Sequence, residues 1–174
     1  MSLVVADTTP INYLVLCGAI DVLRPIYGEI VIPSAVFNEL NHQRTPPVVR
    51  AWVNALPEWV SVKTPLGPVV HPNLGLGERE AIALAKELNA VEVLIDERLA
   101  RDVAIQNGIA VTGTVGVLEE AALRNLIDLA STLEKLRRTN FRFDEEMFQS
   151  ALARVAQRKQ QSETSSSGQT PVPE

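Results

Sequence analysis

The sequence predicts an α/β fold whose parallel sheet is covered on both faces by helices. Three observations carry this. Short β-branched apolar runs alternate with capped helical stretches along most of the chain. The strand-like runs are apolar almost throughout, as strands buried on two faces are. Two of them, Leu3–Ala6 and 91–95, stop abruptly on acids, at Asp7 and at Asp96-Glu97.

The elements follow in order. After the strand Leu3–Ala6, the stretch "TTPINYLVLCGAIDVL" offers Thr8 or Thr9 as an N-cap and Pro10 in the first turn, so a helix follows. Glu29–Ile32 is β-branched and reads as a second strand. Pro33-Ser34 opens the helix "SAVFNELNH", which fades before "QRTPP". Residues 48–56 suit a further helix, Val60–Val62 a third strand, and "TPLGPVVHPNLGLG" a loop. In "GEREAIALAKELNA", Ala81, Ile82, Ala85 and Leu88 share one helical face, while Glu78 and Glu80 occupy the first turn, where the dipole favours acid. The strand 91–95 leads into a helix from about Leu99 to Asn107, with Gly108 as its C′ residue. Ile109–Val111 is the fifth strand, and "TGTVGVLEEAALRN" a capped helix.

The segment "NFRFDEEMFQSALARVAQRKQ" has Asp144 as an N-cap and Phe143 with Phe148 as a hydrophobic staple. Its stripe of Met147, Phe148, Ala151, Leu152 and Val155 packs on the domain or on a partner. From residue 160 the chain is polar and low in complexity, the composition of a disordered tail. The expected division is therefore a domain over 1–133, a helical extension over 134–159 and a tail over 160–174.

A chain of 174 residues, 46% apolar and 21% charged, suits one globular domain with a core that needs no disulfides. The single cysteine, Cys17 in "NYLVLCGAI", reads as a buried hydrophobe and rules out an internal disulfide or a Cys-rich zinc site. The start "MSLVVADTTP" lacks the features of a signal peptide, and no apolar run approaches the ~20 residues of a membrane span, so a cytoplasmic location is expected. The net charge of −5 is uneven. Residues 1–133 carry 9 basic and 15 acidic side chains, and residues 134–159 carry 7 basic and 4 acidic. An acidic body with a basic C-terminal segment can hold an anionic polymer locally.

Other constellations are missing. His42 and His71 are isolated, "GTVG" falls short of the dinucleotide fingerprint, and GxxxxGK[ST] and GxSxG do not occur. No DxD follows the first strand and no Lys the fifth, which weakens a phosphatase or receiver reading. Trp52 and Trp59 read as satellite packing.

The acids remain. Open parallel sheets bind ligands beyond the carboxyl ends of their strands, where strand order reverses. Asp7 and Asp96 end two strands, and Glu39 and Glu78 sit at helix ends able to reach the same rim. Singly, each also fits an N-cap, a dipole acid or a solvated residue. Together they form a set of hard oxygen ligands suited to Mg²⁺ or Mn²⁺, capable of phosphodiester chemistry. Thr112 and Thr114 are candidates for contacting phosphate.

Three stretches, "VVADTTPINYL", "VIPSAVFNEL" and "GLGEREAIALAKELNAVEVLIDERLARDVAIQNGIAVTGTVGVL", resemble the PIN domain, most closely the DUF3368 subgroup of VapC-like ribonuclease toxins. The likeness runs from about residue 3 to 128 and implies a three-layer α/β/α sandwich with five parallel strands in the order 3-2-1-4-5. It also implies Mg²⁺- or Mn²⁺-dependent RNA cleavage, with Asp7, Glu39, Glu78 and Asp96 as catalytic metal ligands. Glu80 is the alternative third acid and Glu97 a supporting one. Arg98 and Arg101 are expected to meet phosphate, a small antitoxin to bind as inhibitor, and two copies to form a homodimer. The opening "DTTP" departs from the family's usual Ser in the third place but keeps a hydroxyl.

Overall fold

Val4 and Ala6 of the first strand, β1 (Ser2–Ala6), enter one hydrophobic core, and Val5 between them enters another. The same two-residue alternation recurs in β2 (Gly28–Pro33), where Ile30 and Ile32 face one way and Val31 the other. It recurs again where Leu94 of β4 (Glu92–Leu94) opposes Val93 and Ile95. Two apolar faces on each central strand require helices on both sides, and the computed structural model has them. It describes residues 2–67 and 69–166.

With β3 (Val60–Lys63) and β5 (Val111–Thr112), the strands form one sheet in the order β3-β2-β1-β4-β5, every pair parallel. The three-layer sandwich is therefore present. One face is covered by α5 (Leu76–Glu87) and α6 (Arg98–Gln106), through residues such as Ile82, Leu84, Ala100 and Ala104. The larger core on the other face takes α1 (Thr8–Leu16), α2 (Leu23–Tyr27), α3 (Ser34–Leu40), α4 (Pro47–Val53), α7 (Thr114–Leu123), α8 (Leu129–Arg137) and α9 (Glu145–Ser166). Among the described residues no helix is long and apolar enough to cross a membrane.

Local chemistry explains most boundaries. Gly108, at φ +76°, ends α6 in the left-handed turn that glycine adopts without strain, and Ile109 N–H returns to the Ala104 carbonyl at 3.0 Å. Asp144 caps α9 by accepting Met147 N–H at 2.8 Å, and the Phe143 and Phe148 rings meet with centroids 6.2 Å apart. Cys17 is buried, as its apolar setting required.

Several expectations are corrected. The N-cap of α1 is Asp7, not Thr8 or Thr9. The single helix expected over "TTPINYLVLCGAIDVL" breaks at Gly18, at φ +72°, into α1, a 3₁₀ turn at Ile20–Val22 and α2. Helix α8 was not anticipated; Asp128 caps it through Ser131 N–H at 2.8 Å, and Leu129, Leu133 and Leu136 anchor it. It runs across the boundary expected between residues 133 and 134. The tail expected from residue 160 is helical as far as Ser166, because α9, already anchored at Ala151 and Val155, propagates cheaply through Gln, Lys and Glu. Residues 167–174 of that expected tail lie outside the described residues.

Glu80 is tied into this framework rather than into a site. It is buried, and its Oε2 accepts Ala35 N–H at 2.9 Å and Ser34 Oγ–H at 3.2 Å, so α5 caps the start of α3. Replacing it with Leu strands a buried N–H and a half-buried hydroxyl and is expected to cost about 1–3 kcal/mol of stability. Glu80→Gln, which keeps an acceptor, should lose clearly less when both are compared by urea unfolding.

Candidate active site

Strand register performs the first part of the assembly. Ala6 pairs with Leu94, and Asp7 N–H extends the ladder to the Leu94 carbonyl at 3.0 Å. Asp7 thus leaves the sheet beside Ile95, one residue before Asp96. Both stand at the carboxyl ends of adjacent strands, at the point where strand order reverses.

Helix ends bring the other two acids. Glu39, in the last turn of α3, accepts a short hydrogen bond from Thr8 Oγ1, the residue after Asp7. Gly77 of α5 lies against the same carboxylate: a Cβ built there would stand 2.8 Å from Glu39 Oε1. Only a residue without a side chain lets the first turn of α5 approach so closely. One residue on, Glu78 turns back to accept Gly75 N–H at 2.9 Å.

Asp96 is the most firmly oriented. Its Oδ1 accepts Thr114 N–H at 2.7 Å and its Oδ2 accepts Thr114 Oγ1 at 2.6 Å. A Cβ on Gly113 would lie 2.8 Å from both Asp96 Oδ1 and Arg101 Nη1, so this glycine too is emptied space beside a carboxylate. Glu97 caps α6 by accepting Ala100 N–H at 2.8 Å.

The four acids share one electrostatic field. Asp7 is 4% exposed, and its pKa is pushed up to about 7. Burial is the main cause; the Thr8 N–H opposes it, and the charges of Glu78, Glu39 and Asp96 add to it. Burial also raises Glu78, against the Gly75 N–H and with help from Glu97 and Glu39. Asp96 is raised by burial too, while Thr114 and Arg101 pull it back.

The donor set is all carboxylate oxygen, which suits a hard divalent cation such as Mg²⁺ or Mn²⁺. Yet among the described residues no group of three or more His, Cys, Asp or Glu side chains is arranged to hold a metal ion. Glu39, Glu78 and Asp96 each hold a protein hydrogen-bond donor instead.

Asp7, Glu39, Glu78 and Asp96 therefore come together, with Glu97 at the margin. Glu80, the alternative third acid, does not, since its carboxylate is spent on α3. Thr114 is fully buried and bonded to Asp96, and Thr112 donates to Glu92, so neither hydroxyl is turned toward phosphate. Arg98 is exposed on α6, and Arg101 stands beside Asp96. Sequence reasoning missed Thr8, Gly77 and Gly113. Thr8 adjoins Asp7 in "DTTP", so its role was accessible; the glycines become visible only once α5 and α7 are packed.

A five-stranded parallel sheet in this order, with carboxylates gathered at its switch point, places the chain among the doubly wound α/β proteins. The chain belongs to the PIN-domain family: DUF3368, described as a PIN domain, matches residues 3–157. PIN domains are typically nucleases. Among solved structures the chain is similar to a PilT N-terminus domain protein, SSO1118, from the hyperthermophilic archaeon Sulfolobus solfataricus P2. The two share 22% identity and a TM-score of 0.48 over 76% of this chain and 94% of that one. No curated protein matches.

The buried Asp7 makes a stability test of the pocket. Its pKa in the folded state, about 7, lies above the ordinary 3.8, so between these values the folded protein holds a proton that the unfolded chain has released. Stability therefore falls as pH rises through that window, and the whole penalty is present above it. In EDTA, Asp7→Asn is expected to be more stable than the parent by about 2–4 kcal/mol at pH 8, with the gain fading toward pH 4. Chemical unfolding at several pH values measures this; a gain independent of pH contradicts the buried, proton-holding carboxyl.

Proposed function

We propose that the protein is a metal-dependent endoribonuclease that hydrolyses RNA phosphodiesters with Mg²⁺ or Mn²⁺. The observation carrying this reading is the convergence of Asp7, Glu39, Glu78 and Asp96, from four separate elements, on one end of the sheet. These four would hold the cation, with Glu97 in support. A bound divalent cation would neutralise the acids and make water acidic enough to attack phosphorus at neutral pH. The chain's own residues prepare the place. Thr114 fixes both oxygens of Asp96, Thr8 fixes Glu39, and the Gly75 N–H fixes Glu78, so the carboxylates are aimed before anything binds. Burial of Asp7 keeps the metal-free pocket partly protonated, so cation binding releases a proton near neutral pH.

The reading extends to a cytoplasmic toxin, active as a homodimer and restrained by a small antitoxin protein. The acidic body and basic C-terminal segment support an anionic substrate, and the family supports nuclease chemistry. One observation favours a second reading, a catalytically silent binding module: among the described residues the acids form no ready-made metal cage, and Glu39, Glu78 and Asp96 already hold protein donors.

A single experiment separates the two. Labelled RNA is incubated with the full chain and Mn²⁺, with and without EDTA, beside Asp96→Asn. The substituted amide keeps an oxygen for Thr114 N–H while losing the negative charge. The enzyme reading expects cuts that disappear in EDTA and fall at least about 100-fold in the variant, as loss of an electrostatic group in a preorganised site does. RNA binding without cleavage by the parent would establish the silent module. The toxin role is checked separately: expression should arrest growth, and co-expression of the neighbouring reading frame should restore it.

A further inference from the structure

Helix α3 carries Glu39 near its end but supplies little of its own to hold it there. It spans only Ser34–Leu40, well short of the roughly 12–15 residues at which an isolated helix becomes marginally stable. Its N-cap is Pro33, whose ring offers no acceptor to the first turn. The start is closed from α5 instead, by Glu80 Oε2 on Ala35 N–H at 2.9 Å and on Ser34 Oγ–H at 3.2 Å. Glu80 is 8% exposed and takes part in no ion pair among the described residues. A buried carboxylate without a counter-ion is a costly cap where Ser, Thr, Asp or Asn at the helix's own start would serve. What the distant carboxylate adds is a tie between two helices.

That tie has a second point. Gly77, one turn before Glu80 on α5, leaves its volume to the Glu39 carboxylate: a Cβ there would stand 2.8 Å from Oε1 and 3.1 Å from Oε2. Ala35 and Glu39 lie about 6 Å apart along α3, and Gly77 and Glu80 about 4.5 Å apart along α5. Contacts about a turn apart on both helices set the rotation of α3 as well as its distance, whereas one contact alone would leave a pivot. Glu78 lies in the same turn of α5. One turn therefore presents an acid, makes room for a second and clamps the helix that carries the second. We infer that Glu80 is a positioning residue for the acid pocket: by gripping the start of α3 it sets where Glu39 stands relative to Glu78. The inference rests on the metal-dependent reading above for its consequence, that misplacing Glu39 weakens cation binding.

Mn²⁺ binding to the full chain is measured by titration calorimetry, at a temperature where circular dichroism shows every variant folded. Glu80→Leu is expected to lower affinity about tenfold, the scale on which groups that orient metal ligands act. Glu80→Gln, which still accepts from Ala35, should stay within about twofold of the parent, and Ser34→Ala, which removes one donor and no acid, should lose about two- to threefold. In a Glu39→Gln background, Glu80→Leu should change affinity less than about twofold, because the ligand it places is gone; a general loosening of the fold would act equally in both backgrounds. Hydrogen exchange in EDTA reads the same clamp without metal: amides of residues 37–40 should exchange at least about tenfold faster in Glu80→Leu, with those of residues 82–84 unchanged. The inference is overturned if Glu80→Leu binds Mn²⁺ like the parent, if its loss persists in the Glu39→Gln background, if Gln fails to rescue, or if the α3 amides keep their protection. The two readings fail separately. A parent that binds no Mn²⁺ removes the metal reading and leaves the exchange comparison to decide the clamp; metal-dependent cleavage untouched by Glu80→Leu keeps the nuclease and removes the positioning role.

Discussion

Everything at the working end of this molecule follows from carboxylates being forced together in a place where they would rather not be charged. The parallel pairing of β1 with β4 puts Asp7 and Asp96 at neighbouring strand ends, and burial then takes Asp7 almost wholly out of water. The surrounding acids raise its proton affinity further. Such a cluster is tolerated only because the rest of the fold is strong enough to hold it: fully apolar strands on two faces, helices on both, and the bulk of the large aliphatic side chains sealed between them.

The support is built from ordinary local chemistry put to a second use. Thr114 opens α7 yet spends both its N–H and its hydroxyl on Asp96. Glu97 closes the N-terminus of α6, and its charge reaches Glu78. Glu80 shows the limit of such doubling. It sits two residues from Glu78 on the same helix, but the helical turn sends it inward to α3, where it is consumed as a cap.

The alternation of elements, the two-sided burial of the strands and the placing of acids at strand ends were all legible in the sequence, because each rests on short-range periodicity and on where a strand must stop. The apolar stripe of the C-terminal helix, apart from the exposed Met147, and its Phe143–Phe148 staple were legible for the same reason. What escaped depended on distance. Whether Glu78 or Glu80 faces the pocket is a question of helical phase relative to α3, which no local pattern contains. Thr112 and Thr114 looked free for a ligand because their partners, Glu92 and Asp96, are 20 and 18 residues away. The break at Gly18 hid inside a run that is apolar on either side, and α8 is only nine residues long, with its buried face spread over Leu129, Thr132, Leu133 and Leu136.

The two glycines that border the acids have a consequence of their own. At Gly77 and Gly113 a carboxylate oxygen occupies the volume a methyl group would need, and the obstructing atoms are ends of side chains rather than backbone. The pocket can therefore be deformed by tenths of an ångström from outside the acid set, leaving every charge in place. Such positions are dials rather than switches: they separate the geometry of the carboxylates from their electrostatics, two quantities that any change to an acid alters at once.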